Sequence, residues 1–323
     1  MAKGEDELIA WIRSRTGQAS GARTGLVLGP GDDMAQVRVG AAGVLVACDM
    51  VMDGVDFDSA VHTPRQMGRK AMAVNLSDCA AMAVRPRWAL VSVALPAHWT
   101  MEQAQELFAG AESLAAEFDC RIIGGDTNSW DKPLVVDVTI LAEPWEGSSG
   151  PVHRSGMRPG DALFVTGRLG GSIWEHHLTF TPRVREARAL TLALGPDLHA
   201  MMDLSDGLSV DAARMATASD CGVELDEGAI RALHRDVLRE KEDGRSLTSH
   251  LLDDGEDFEL FFAVPEFASD RVMACRSEGI SCDLWRIGSA ISESGVWLKR
   301  MDGGRERVEL RGWRHFRETG GSA

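Results

Sequence analysis

Gly43-Val-Leu-Val-Ala-Cys-Asp49 is an apolar run that stops on a carboxylate. A run this short, without polar interruption, has the length of a buried strand rather than of a helix. Downstream, Thr63–Val84 carries the helical signature: Pro64 sits near its start, and Met67, Ala71, Val74 and Ala81 recur at three- and four-residue spacing. Trp88–Leu95 reads as a second strand. Met101–Phe118 reads as an amphipathic helix with Leu107, Phe108, Ala111 and Leu114 on one side. Cys120–Ile123 and Leu134–Ala142 follow as strands around a predicted loop, Gly124–Lys132 (GGDTNSWDK).

Gly, Ser and Pro concentrate over Pro144–Pro159, which puts a domain boundary near residue 148. The chain then divides into residues 1–148 and 149–323. The second part opens with a strand, Ala162–Thr166, and a Gly-rich turn, Gly167–Ser172. Another strand ends in Met202–Gly207 (MDLSDG), a helix starts at Leu208, and Leu260–Val264 and Cys282–Ile287 read as later strands. Both parts run apolar strands into loops rich in Gly and Asp, the pattern of two α/β domains.

The aspartates are the informative feature. Asp32 and Asp33 lie in GPGDDMA, Asp49 in VACDM, Asp78 in NLSDCAA, Asp126 in IIGGDT, and Asp203 and Asp206 in MDLSDG. Any single one has an ordinary explanation as a turn residue or helix cap. As a set they place carboxylates after apolar strands, where open α/β sheets bind ligands. Magnesium takes hard oxygen ligands and is held by carboxylates together with substrate phosphates, so several aspartates suit it. Asp78, in an Ala- and Met-rich helix, is either on a solvent face or a buried ligand. Carboxylates alone leave a kinase and a metal-dependent hydrolase both open.

The 323 residues carry a net charge of −15, with 44% hydrophobic and 26% charged residues. Such a composition is that of a globular protein and argues against nucleic-acid or anionic-membrane partners, because no basic excess can neutralise phosphates. No stretch approaches the ~18 apolar residues of a membrane span, and Met1–Ala10 has no signal-peptide pattern. The six cysteines form no C-x-x-C pair and read as free, buried thiols of a reducing cytoplasm. His176-His177 reads as a surface pair. Neither G-x-x-x-x-G-K-[ST] nor the paired H-R-D and D-F-G motifs is present. Gly124-Gly125-Asp126 and the Gly167, Gly170, Gly171 loop each read as a tight turn or a phosphate-approaching backbone. Arg154 reads as a solvated linker charge or a phosphate contact.

Taken in order, GDDMA, CDMVMDGVDF, KAMAVNLSDCAAM, GGDT, HRSGMRPGD, TPRV, MDLSDGLSVDAARMATASDCG and DGEDFEL resemble the thiamine-monophosphate kinase family. That family belongs to an ATP-binding group with aminoimidazole ribonucleotide synthetase, selenophosphate synthetase and a hydrogenase-maturation protein. The resemblance is collinear from about Gly4 to Phe316; GEDELI at the start and GWRHF at the end favour the thiamine branch. It implies an α/β (α+β) fold of the two-domain, aminoimidazole ribonucleotide synthetase-like kind. In that fold the N-terminal domain pairs with its twin in a homodimer sheet or barrel, and the C-terminal domain closes over the nucleotide. It implies metal ligands at Asp33, Asp49, Asp78, Asp126, Asp203 and Asp206, with Asp32 as adjunct. An ATP site is implied at Phe108, Gly125, Asp126, Arg154 and Ser205, and substrate contacts at Asp56, Glu256 and Phe316.

The implied reaction is ATP plus thiamine monophosphate giving ADP and thiamine diphosphate, with several Mg2+ ions and no general base, since the nucleophile is already an ionised phosphate oxygen. Other ATP-dependent synthetases of the group, including a ring-closing one, and a non-catalytic nucleotide-binding sensor are the alternatives. Three positions depart from the family pattern. Ala47 and Cys48 stand where hydroxyl residues precede the aspartate, and Asp56 stands where histidine is frequent. With no tyrosine in the chain, Phe108 and Phe258 replace family tyrosines and cannot donate a phenolic hydrogen bond.

Overall fold

The computed structural model describes residues 26–29, 32–39, 42–240, 243–277 and 280–313. The N-terminal sheet is built from β1 (Leu26–Leu28), β2 (Ala35–Val39), β3 (Ala42–Met52), β4 (Val84–Pro96), β5 (Arg121–Trp130) and β6 (Val135–Pro144). They stand in the order β1-β2-β3-β6-β4-β5. All neighbours are antiparallel except β4 and β5, whose parallel pairing requires a crossover. Helix α2 (Met101–Glu117) supplies it. Alternation along β3 puts Leu45, Ala47 and Val51 in the core and leaves Cys48, Met50 and Met52 on the outer face.

Helix α1 (Pro64–Ala81) covers the inner face. It starts where the sequence places it, because Thr63 and Gln66 form a reciprocal capping box and Pro64 occupies the first turn. Thirteen of its residues are buried, among them Lys70, Asn75 and Ser77. It touches β3, β4 and β6 of one sheet and reaches across to β8 of the other. Helix α2, closed by a second capping box between Thr100 and Gln103, crosses α1 at two glycines. A Cβ on Gly68 would lie 1.8 Å from the Leu107 carbonyl oxygen, and one on Gly110 would lie 2.0 Å from that of Arg65.

The second sheet contains β7 (Asp161–Thr166), β8 (Ala200–Asp203), β9 (Gly222–Asp226), β10 (Leu260–Pro265), β11 (Leu284–Ile291), β12 (Gly295–Lys299) and β13 (Arg305–Arg307). Their order is β13-β12-β9-β11-β7-β10-β8, antiparallel apart from β9 with β12. β7 is buried along its whole length, as is β10 up to Pro265; they form the middle of this core. Helix α3 (Val184–Leu194) packs against α1 and β4, and helix α4 (Leu208–Ala218) flanks the sheet. The edge strand β8 is buried because α1 lies against it.

Two local expectations are corrected. The predicted loop Gly124–Lys132 is strand through Trp130, paired from Gly125↔Val91 to Trp130↔Pro96. Its Gly, Asp, Asn and Ser are turn formers, but ladder pairing at the sheet edge overrides local preference. Gly125 permits the close approach: at φ +152°, a Cβ there would stand 1.8 Å from the Val91 carbonyl oxygen. Asp49 does not end its strand either, since β3 stays paired with β6 as far as Met52↔Val135.

Replacing Gly68 with alanine forces α1 and α2 apart at their closest contact. Gly68→Ala is expected to cost about 2 kcal/mol or more, the scale of an overpacked core, read as a lowered midpoint in urea denaturation.

Candidate active site

Asp33, Asp78 and Asp203 converge, each offering a carboxylate oxygen within 4.8 Å of the others. They come from three elements: the segment before β2, the last turn of α1 and the last residue of β8. Contact between α1 and β8 creates the cluster. Asp33 Oδ1 accepts from Arg154 Nη2 at 2.6 Å, while Asp33 Oδ2 is buried with no hydrogen-bond partner. Asp203 accepts a short hydrogen bond from the Ser77 hydroxyl. Asp32 accepts from the Arg154 backbone N–H at 3.1 and 3.2 Å, with the His153 ring 3.3 Å away. Arg154 is thus a half-buried partner of the cluster rather than a solvated linker charge.

The electrostatics follow from burial without enough cations. Burial, then the Asp49 and Asp203 charges, pushes Asp78 well above the usual carboxylate range. Burial and Asp33 raise Asp203 to about 8 despite the Ser77 hydroxyl. Burial, followed by Asp33 and Asp137, raises Asp49 to about 6. Burial also lifts Asp33, outweighing Arg154. Asp32 goes the other way: burial opposes it, but His153 and the Arg154 N–H outweigh burial and hold it low. Closely spaced buried carboxylates with an orphaned oxygen need protons or a cation. The all-oxygen donor set fits a hard divalent ion.

The neighbouring predicted residues fall into place around this cluster. Asp49 is fixed by Asn75, whose Oδ1 accepts from the Asp49 N–H at 3.1 Å and whose Nδ2 donates to the Ala71 carbonyl at 3.0 Å. Cys48 points to the opposite face, its thiol 3.2 Å from Asp137, so its side chain stands away from the cluster. Asp206 is held by Arg214, which also bonds Asp211 at 2.9 Å. Burial and Asp206 raise Asp211 to about 7.

The turn Leu204–Gly207 is stapled to Gly255–Phe258. Glu256 N donates to the Ser205 carbonyl at 2.7 Å, Phe258 N to that of Leu204 at 2.8 Å, and Leu204 N to that of Glu259 at 2.9 Å. The staple holds Gly255, Glu256 and Phe258 at positive φ, of +70°, +55° and +47°. Asp257 and Glu259 turn inward to Arg235 and Arg183. Glu256 instead meets Lys70, at 2.6 and 2.8 Å. Asp56 accepts from the Met52 N–H at 2.7 Å through its side chain and from Lys70 at 2.6 Å through its carbonyl.

Phe108, Gly125 and Asp126 line a separate cavity of about 350 Å³ between α2 and the β4–β5 edge, otherwise walled by apolar groups such as Val91, Val93, Leu107 and Ile122. Asp126 therefore does not join the aspartate cluster. The row Asp49↔Val138↔Val91↔Gly125 puts three strand spacings, about 14 Å, between its strand and Asp49. Phe316 lies outside the described residues. His177 is buried, with Nδ1 3.2 Å from the Ser172 carbonyl oxygen, so the histidine pair is not a surface pair. Lys70, Asn75 and Ser77 escaped the sequence reading, although polar residues in an Ala- and Met-rich helix carry the same signal as Asp78.

The family described as AIR synthase related protein, N-terminal domain, matches residues 31–143, and its C-terminal counterpart matches residues 158–299. Two sheets joined through α1, with carboxylates at the junction, are therefore of the AIR synthase related class. The thiamine-monophosphate kinase of Rhodopirellula baltica is 37% identical over 324 residues, covering 96% of this chain and 97% of that protein. That of Bacillus subtilis is 30% identical, covering 97% and 99%. A solved structure of AaThiL complexed with AMPPCP and TMP superposes with a TM-score of 0.78 at 26% identity, covering 97% of both chains. The chain belongs to the thiamine-monophosphate kinase family.

A pH-dependent stability follows from the raised carboxylates. Their folded forms hold protons up to about pH 6 for Asp49 and about pH 8 for Asp203, while unfolded aspartate releases its proton near ~3.9. Their stabilising contribution is thus complete below the unfolded value and is lost as pH rises through 6 to 8. In chelator, the thermal midpoint is expected to fall between pH 5 and pH 8.5. Magnesium chloride should recover it at the higher pH and do little at the lower. A midpoint indifferent to magnesium at pH 8.5 would remove the cation from the cluster.

Proposed function

We propose that this chain transfers the γ-phosphoryl group of ATP directly to thiamine monophosphate, giving thiamine diphosphate and ADP. The observation that carries the reading is the Asp33–Asp78–Asp203 cluster at the α1–β8 junction, in a chain matched end to end by thiamine-monophosphate kinases. The base of ATP fits the apolar cavity beside Phe108, with Gly125 and Asp126 at its rim. Arg154 and Ser205 then serve the phosphates. Asp56, Glu256 and Phe316 are the positions that the family resemblance gives to the acceptor.

Asp33, Asp49, Asp78, Asp203 and Asp206, with Asp32 beside them, would hold Mg2+, and Asp126 would add a ligand through the nucleotide. Bound there, Mg2+ supplies charge neutralisation between two phosphate anions and on the transferring group. The residues do the positioning. Ser77 fixes the Asp203 carboxylate, Asn75 fixes the Asp49 backbone, and Arg154 supplies a permanent positive charge at the cluster. No side chain is assigned as a base, because the acceptor oxygen is already ionised at neutral pH.

Residues 1–148 form the ATP- and metal-binding half and residues 149–323 the half that closes over the nucleotide. A homodimer formed through the N-terminal sheet is part of the reading. Its outer face exposes Met50, Met52, Trp88, Leu90, Ile123 and Trp130, an apolar surface that a second copy would cover. No helix among the described residues is long and apolar enough to cross a membrane; a cytoplasmic location goes with the substrates.

Incubation with ATP, magnesium and thiamine monophosphate, followed by chromatography, is expected to yield thiamine diphosphate, and free thiamine offered alone should stay unphosphorylated. Asp78→Asn is expected to lower kcat at least a thousandfold, about 4 kcal/mol of barrier, with the fold retained by circular dichroism. Near wild-type turnover of that variant at limiting magnesium would refute the cluster's role.

A further inference from the structure

Lys70 sits in the middle of α1 with no exposed side-chain surface. A buried ammonium persists only when its donors are filled. Here three acceptors surround it: the Asp56 carbonyl at 2.6 Å, and Glu256 Oε2 and Oε1 at 2.6 and 2.8 Å. An ammonium has three N–H donors, so none remains for a ligand. The two partners come from different halves of the chain, Asp56 from the β3–α1 connection and Glu256 from the turn before β10.

The Glu256 carboxylate is not buried to the same degree, with 26% of its side chain exposed. Its backbone is pinned at φ +55° by the bond to the Ser205 carbonyl. What remains to be set is the direction of the carboxylate, and Asp56 and Asp206 both repel it. Lys70 supplies the only opposing charge at Glu256 among the described residues, from the interior side, and leaves part of the Glu256 side chain exposed.

We infer that Lys70 is a positioning residue for the phosphate-acceptor substrate. It never touches that substrate. It aims Glu256 from one half of the chain while anchoring the Asp56 connection from the other, so that both contacts form at one spacing. The inference rests on the reading of Glu256 as an acceptor contact. The nucleotide cavity at Phe108 meets α1 at Gly68, but Lys70 does not line it, and the Arg154–Asp33 contact does not involve Lys70. Its loss is therefore selective between the two substrates, which a general loosening of the fold is not.

Steady-state kinetics on Lys70→Met, Glu256→Gln and the double variant separate the possibilities. For Lys70→Met the KM for thiamine monophosphate is expected to rise about tenfold or more, with the KM for ATP within about twofold. The double variant should raise that KM by less than the product of the two single-variant increases, because Lys70 acts in part through Glu256. An unchanged KM for thiamine monophosphate in Glu256→Gln would dispose of the Glu256 reading and of the inference with it. A raised KM in Glu256→Gln alongside an unchanged one in Lys70→Met, or equal rises for both substrates in Lys70→Met, would overturn the inference and leave that reading standing. If Lys70→Met does not fold, the double variant, which removes both charges together, decides. A rise in KM confined to thiamine monophosphate supports the inference, and a loss shared equally by both substrates overturns it.

Discussion

Helix α1 is enclosed by both sheets, and an enclosed helix must satisfy its polar side chains inside the protein. Each polar residue on its buried surface does so by fixing a part of the site. Lys70 holds Glu256 and the Asp56 connection, Asn75 holds Asp49, and Ser77 holds Asp203. Asp78 has no such neutral solution, since its near neighbours are also carboxylates. The helix leaves one charge problem unsolved, at the Asp33–Asp78–Asp203 cluster. The cleft is assembled as a consequence of burying that helix.

Much of this was legible in the chain. Pro64 with the apolar spacing of Met67, Ala71 and Val74, and the apolar side formed by Leu107, Phe108, Ala111 and Leu114, locate the starts of α1 and α2 to within a residue. GVLVACD and the stretch before MDLSDG give two of the strands on which the site is mounted. What escaped was set by pairing at a distance. Asp, Asn and Ser in GGDTNSW speak locally for a loop, and only registration against β4 makes them strand. The rule that aspartates sit where strands end holds for Asp203 alone among those on strands. Asp49 is mid-strand and Asp126 is on an edge strand, because both sheets are largely antiparallel and lack the parallel edge on which that rule depends.

The DGEDFEL segment shows how a short motif can carry several roles through alternation. Asp257 and Glu259 point inward to Arg235 and Arg183, and Glu256 pairs with Lys70 of α1. Backbone bonds from Glu256 and Phe258 to the Leu204–Ser205 turn keep Gly255, Glu256 and Phe258 in left-handed conformations. The inward ion pairs and the staple together offset that strain, about 1–3 kcal/mol for each non-glycine residue so held. Sequence reading could assign Glu256 a role by resemblance, but the division of labour among three acidic neighbours depends on a backbone path that residue types do not reveal.

The contacts that satisfy α1 are also remote along the chain. Ser77 meets Asp203 across 126 residues, and Lys70 meets Glu256 across 186. A ribosome releases α1 long before either partner exists. The nascent N-terminal sheet must therefore wait with a serine and an aspartate unanswered on an otherwise apolar helix, a lysine answered only by the Asp56 carbonyl, and a face meant for β8 open to water. Contacts of such separation are slow to close and leave apolar surface available to other chains in the meantime. The helix that unites the finished protein is, during synthesis, its most vulnerable segment.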